Sequence, residues 1–295
     1  MQTPTPIPTP IPIPGFGEPL RISGRYGSWD AVRAELDEHG VTVLHARLAD
    51  WRPGRVPGPR LRTLLGRDWA RYLDLTHPDV RARFAASRIL LKFAAAAAVE
   101  VAPEAVELAY HLTGRPYLRG IDAVDISLSH TDELLVVGLS SRGPIGVDAE
   151  RGDRDLYGCG LADHFCTPHE LDSLKILQPQ RRNPELLRLW TLKEAYTKAT
   201  GLGLRFPFTD FGFRTPDGQG GVRRRDGTPA TGPEWSFRTS YVDDAYVLST
   251  AVRDTGFGTT RDRSAHTMLD EALVDALVSA LDEEAEESGP DDEDW

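Results

Sequence analysis

Residues 125–150 read DISLSHTDELLVVGLSSRGPIGVDAE, and the interpretation of this stretch decides the fold. It holds three short β-like runs, DISLSH, ELLVVGLS and PIGVDAE, with Arg142-Gly143-Pro144 as a turn between the last two. This pattern predicts an antiparallel meander. Towards the N-terminus, Trp29 to Glu38 has helical spacing and stops near Gly40, and VTVLH at Val41 to His45 is strand-like. A loop rich in Pro and Gly, Arg52 to Pro59, precedes two helices, the second running from about Asp79 to Val99. Towards the C-terminus, one helix is predicted over Thr167 to Leu177, where Thr167 and Glu170 have capping-box spacing. A better-marked helix is predicted over Pro184 to Thr200, with Asn183 as N-cap and Gly201 as the residue after its end. Strands FTDFGFR, EWSFRTSY and AYVLSTAVR follow, and then an amphipathic helix at about His266 to Leu281. Strands and helices in two successive groups give an α+β class.

The 295 residues include 34 Lys plus Arg and 45 Asp plus Glu, for a formal charge of −11, with 40% hydrophobic and 8% aromatic residues. Such a composition buries a real core and excludes wholesale disorder, collagen-like chains and coiled-coil rods. Twelve of the acids and no Lys or Arg lie between Ser264 and Trp295, so the body is nearly neutral and the acidity belongs to a solvated tail. Arg47 to Lys92 holds 11 bases and 4 acids, which suits either a phosphate-bearing ligand or solvent-facing Arg. No aromatic stacking pattern or helix-turn-helix signature accompanies that charge, which counts against nucleic-acid binding. Cys159 and Cys166 match no metal clip or redox pair. The start MQTPTPIPTPIPIPGFGEP lacks a signal-peptide pattern and is too Pro-rich for a helix, and Phe93 to Val99 is too short to span a bilayer. A cytoplasmic protein with no membrane contact is expected.

Four groups of residues could carry chemistry. In Gly146-Val147-Asp148-Ala149-Glu150, the strand period of two puts Asp148 and Glu150 on one face, where paired carboxylates suit a hard cation with phosphate. In Trp190 to Lys198, Glu194 and Lys198 are one helical turn apart, a spacing that also fits a plain surface salt bridge. Ser129 and His130 sit at a strand end and point to opposite faces, which suits phosphate donors better than a hydrolase pair. Gly114-Arg115-Pro116 is a tight turn carrying a guanidinium able to grip phosphate. On the long helix, Arg81, Arg88 and Lys92 share a stripe that must face water or an anion, since an unpaired buried charge is too costly.

Taken in order, Gly114-Arg115-Pro116, Ser129-His130, Gly146 to Glu150 and Trp190 to Lys198 resemble the pattern G-[KR]-P, S-H, G-x-D-x-E, W-x-x-K-E-[AS]-x-x-K of the 4′-phosphopantetheinyl transferases, in their monomeric surfactin-type class. The resemblance extends from about Arg67 to Val252, and departs at Ser127, where the pattern usually carries Asn. It implies two pseudo-symmetric α+β halves with the active site in the cleft between them. The corresponding division is a disordered leader 1–19, halves 20–146 and 147–257, and a helix with a disordered acidic tail over 258–295. It implies transfer of the phosphopantetheine arm of coenzyme A to a serine of an acyl or peptidyl carrier protein, releasing adenosine 3′,5′-bisphosphate. By resemblance, Asp148, Glu150 and Glu194 hold Mg²⁺. For the group that accepts the serine proton, Glu194 is the first choice, with Lys198 or a metal-bound water as competitors. Arg71, Arg83, Arg88, Arg115, Ser129, His130 and Lys198 contact coenzyme A, although the helical wheel sets Arg83 opposite the stripe containing Arg88. The carrier is expected to dock beside Arg151 to Phe165 through Leu156, Tyr157 and Leu161. A catalytically silent carrier-binding homologue is the alternative.

Overall fold

Two 22-residue helices, each laid on a sheet, run through the two largest hydrophobic clusters. The computed structural model describes residues 17–54, 58–202, 207–214 and 221–255, all within one compact unit. The helix expected over His266 to Leu281 and the acidic tail lie outside the described residues, as does most of the leader. Its last residues are described: Arg238 donates to the Gly17 carbonyl at 2.8 Å and pairs with Glu18, so the expected disorder does not reach residue 19.

The chain runs β1 (Leu20–Arg21), α1 (Trp29–His39), β2 (Val41–Arg47), α2 (Leu48–Trp51), α3 (Pro59–Leu65), α4 (Trp69–Asp74), α5 (Pro78–Val99), β3 (Leu108–Tyr110) and β4 (Pro116–Leu118). It continues through β5 (Asp125–Thr131), β6 (Leu134–Ser140), β7 (Ile145–Arg151), α6 (Ala162–Phe165), α7 (Pro168–Ile176), α8 (Pro179–Thr200), β8 (Phe211–Gly212), β9 (Arg223–Arg224), β10 (Trp235–Val242) and β11 (Tyr246–Arg253). Strand order is β1-β2-β6-β5 in one sheet and β10-β11-β7 in another. The Ala-rich α5 packs on the first sheet, and α8 lies against the second. Between the sheets, Val43, Leu134 and Val136 meet Val147, Ala149, Val242 and Leu248. The α+β class holds.

The meander is corrected. β5 and β6 form the expected hairpin, with Asp132 in the left-handed region at its turn, but β7 leaves that sheet and its ladder runs to β11. Along its other edge β7 meets side chains. The Ile145, Val147 and Ala149 amides donate to the Asp125 carboxylate (2.8 Å), Ser127 Oγ (3.0 Å) and Ser129 Oγ (3.4 Å). Ser127, the departure from the family pattern, thus accepts one of these bonds. The expected division between 146 and 147 falls inside β7.

α7 has the expected cap, with Thr167 and Glu170 exchanging hydrogen bonds. α8 starts earlier than expected, at Pro179, and runs through Pro184. Asn183 is no cap: its amide oxygen accepts from the Leu156 and Tyr157 amides (2.9 and 3.0 Å), and its nitrogen donates to the Arg154 carbonyl (2.9 Å). FTDFGFR forms a 3₁₀ turn and the two-residue β8 instead of a full strand, because its carbonyls turn inward to a buried ammonium.

That ammonium is Lys193, which is fully buried, as is its partner Glu170. Its Nζ donates among the Phe165, Phe208 and Phe211 carbonyls and Glu170 Oε2, all at 2.7–2.8 Å. Burial pulls the Lys193 pKa down, and Glu170 opposes that shift. Glu170 also accepts from the Phe213 amide at 2.8 Å. α6, α7, α8 and β8 are therefore pinned to one ion pair. We expect Lys193→Met to cost about 3–5 kcal/mol in urea unfolding, because it strands a buried carboxylate. Adding Glu170→Met should recover part of that loss, and a single-variant cost under about 1 kcal/mol would refute the role.

Candidate active site

The tight contact of α8 with β7 builds the site. A Cβ on Gly146 would stand 1.8 Å from the Ala195 carbonyl oxygen and 2.6 Å from the Ala199 amide, so glycine alone lets the helix backbone touch the strand. Glu194 and Lys198, from α8, then reach the face of β7 that carries Asp148. Lys198 does not make the alternative surface bridge to Glu194. Its Nζ donates to Asp148 Oδ1 at 2.7 Å and to the Val147 carbonyl at 3.1 Å.

The three acids meet unequal surroundings. Asp148 Oδ1 also accepts from Ser129 Oγ at 2.8 Å, and Oδ2 takes no donor among the described residues. Glu150 Oε1 accepts from Thr131 Oγ1 (3.1 Å) and the Arg151 amide (2.9 Å), while Oε2 accepts from Arg154. The Glu194 carboxyl has no hydrogen-bond partner among the described residues. Burial first, and then the Asp148 charge, push its pKa up to about 7, against the pull of Lys198. Among the described residues, no three acidic, His or Cys side chains are gathered as a ready ligand set. Asp148 and Glu194 face one another, and Glu150 is turned to Thr131 and Arg154. An all-oxygen set with one orphaned carboxyl fits a hard cation, with Glu150 needing to turn.

Beside these acids lies a basic wall. His130 points outward from β5; partial burial, with the charges of Arg83, Arg88 and Lys198, lowers its pKa. The charges of both Arg83 and Arg88 therefore act on His130, although the helical wheel sets them on different sides of α5. Arg71 and Arg88 lie over the Phe84 ring, at 5.4 and 4.4 Å. Asp68, not foreseen, stands 3.8 Å from Arg88 and accepts from the Tyr110 hydroxyl at 2.5 Å. Burial pushes the Tyr110 pKa up to about 12, so it remains a donor. The rest of the basic stripe faces protein. Arg81 donates to the Leu75 carbonyl (2.7 Å), and Lys92 is buried near Gly66 with its pKa lowered by desolvation, opposed by Asp68.

Two expected phosphate donors are engaged elsewhere. Ser129 is buried and gives its one hydroxyl proton to Asp148. Arg115 donates to the Lys198 carbonyl (2.7 Å) and the Ile145 carbonyl (3.1 Å) and pairs with Asp125, so it ties α8 to β5 and β7 from behind. Leu156, expected on the docking surface, is buried in the core around α8; Tyr157 and Leu161 remain half-buried. Cys159 is exposed, Cys166 is buried, and both are free.

The raised pKa of Glu194 gives a stability test. The folded protein holds this proton up to about pH 7, whereas the ordinary value is 4.5. Between those values the folded state binds more protons, so stability falls as pH rises through that window. In cation-free buffer at pH 8, Glu194→Gln should be more stable by on the order of 2 kcal/mol in urea unfolding, with the gain vanishing near pH 5. A loss of stability at pH 8 would contradict the assignment.

Against this geometry, a family model described as the 4′-phosphopantetheinyl transferase superfamily matches residues 144–251, which contain β7 and α8. The 4′-phosphopantetheinyl transferase HetI of Nostoc sp. is 31% identical over 229 residues, 74% of this chain and 92% of that protein. A Bacillus subtilis 4′-phosphopantetheinyl transferase is 27% identical over 162 residues, 55% of this chain and 69% of that protein. A phosphopantetheinyl transferase of Thraustochytrium sp. is 28% identical over 227 residues, 72% of this chain and 78% of that protein. Since one relative aligns over nearly its whole length and the matched segment supplies Asp148, Glu150, Glu194 and Lys198, the chain belongs to the 4′-phosphopantetheinyl transferases.

Proposed function

We propose that this transferase moves the phosphopantetheine arm of coenzyme A onto a serine hydroxyl of an acyl or peptidyl carrier protein, with release of adenosine 3′,5′-bisphosphate. The observation that carries the proposal is the meeting of Asp148, Glu194 and Lys198, drawn from distant parts of the chain, beside Arg83, Arg88 and His130. A negative site next to a positive wall suits a diphosphate bridged by a divalent cation. Asp148, Glu150 and Glu194 would hold Mg²⁺, which when bound offsets charge gathering on the leaving bisphosphate.

The chain's own residues supply the rest. Arg71, Arg83, Arg88 and His130 bind the phosphates of coenzyme A. Lys198, already seated on Asp148, lies where it can steady the transferred phosphate. Ser129 and Arg115 act behind this layer, holding Asp148 and α8 in place. Glu194, whose carboxyl makes no hydrogen bond to the described residues, is the first choice to accept the serine proton, and Lys198 is the second. The carrier docks beside the segment after β7, against Tyr157 and Leu161. The enzyme works as a monomer in the cytoplasm. No helix among the described residues is long and apolar enough to cross a membrane.

The test is intact-mass detection of phosphopantetheine on an apo carrier after incubation with coenzyme A and Mg²⁺, across fatty-acid, polyketide and nonribosomal-peptide carriers. Asp148→Ala and Glu194→Ala should each lower turnover at least ~100-fold, about 2.7 kcal/mol. Near-normal turnover removes the residue from the site. A carrier that binds and is never modified favours the catalytically silent reading.

A further inference from the structure

The pairing of Glu150 with Arg154 gives the site an internal cation of its own. We infer that Arg154 is a resident counter-ion that holds Glu150 away from the cation position and leaves it when a divalent ion binds. This inference rests on the proposed cation site.

Three observations carry it. First, Arg154 occupies Glu150 Oε2, the oxygen left open by Thr131 and the Arg151 amide on Oε1. With both oxygens engaged, Glu150 is the member of the acidic trio directed elsewhere. Second, the pair is asymmetric: the Glu150 side chain is 10% exposed and that of Arg154 is 48% exposed. A half-solvated guanidinium loses little on release, since water screens an exposed ion pair and replaces its partner. Lys198 is less free to leave, because it also donates to the Val147 carbonyl. Third, the backbone under Arg154 is fixed. Asn183 donates to its carbonyl and accepts from the Leu156 and Tyr157 amides, so the side chain can swing without moving the loop.

The neighbouring arginine does not share this role. Arg151 donates to Asp153 Oδ1 at 2.8 Å and to Asp132 at 3.0 Å, which directs its guanidinium away from Glu150. Without a divalent ion, Asp148, Glu150 and Glu194 are therefore faced by Lys198 and Arg154. An incoming cation must displace one of these internal charges to gain a third carboxylate, and Arg154 is the displaceable one. The device keeps Glu150 ordered when no ion is present, and in exchange it weakens ion binding.

The inference is tested by isothermal titration of the full chain with Mg²⁺, and separately with Mn²⁺, in the absence of coenzyme A. Removing one competing positive charge should tighten binding by roughly three- to fivefold in Arg154→Gln, which corresponds to about 0.7–1 kcal/mol. Arg154→Lys keeps the charge and should stay closer to the parent. Thermal melts of both variants check that the fold is retained. Equal or weaker ion affinity in Arg154→Gln, with saturable binding in the parent, overturns the inference and leaves the cation site standing. No saturable binding in either protein, with Asp148→Asn indistinguishable from them, removes the cation site and this inference together.

Discussion

The site is built on a ladder of side chains that joins β5 to β7. A strand with one edge unpaired inside a protein would bury amides with no acceptor, and each such group costs about 1–3 kcal/mol. Here Asp125, Ser127 and Ser129 accept from Ile145, Val147 and Ala149, so two sheets join along a seam of side chains. Ser129 completes it by donating to Asp148, so the acceptor that supports the strand also orients an acid of the site.

On the far side of β7, α8 is located by two attachments of different kinds. Gly146 allows backbone contact between strand and helix, and Lys193 is held among four oxygens on the opposite flank. Consecutive helical residues point about 100° apart, so fixing Lys193 into its pocket fixes the heading of Glu194. A buried ion pair of this sort contributes little net stability against an apolar replacement, yet it specifies one arrangement of the segments it joins. That specificity is what a site assembled from β5, β7 and α8 requires.

The electrostatics follow from this assembly. Carboxylates brought together in a half-dry cleft repel, and the tension is relieved by Lys198 on Asp148, Arg154 on Glu150 and a proton retained on Glu194 to about pH 7. Nearby, Arg83, Arg88 and His130 raise the opposite potential. Within each region the like charges repel, which costs stability in the empty fold and favours a ligand that brings charge of the opposite sign.

The sequence alone was enough for the α+β class, the capped α7, the long α5 and the placing of Asp148 and Glu150 on one strand face, because strand and helix periods are local properties. The ordered motifs also carried the family, since each has a fixed spacing within one element. It did not determine that β7 abandons β6 for β11, because pairing partners of a strand are chosen by packing across the whole chain. Nor did it determine the bonds that polar side chains make within the protein: Ser129 donates to Asp148, Arg115 donates to the Lys198 carbonyl, and Asn183, expected as a cap, clamps a loop. A hydroxyl or guanidinium has the same letters wherever it points. Only the tertiary structure, by bringing a second group within about 3 Å, decides which hydrogen bond it makes.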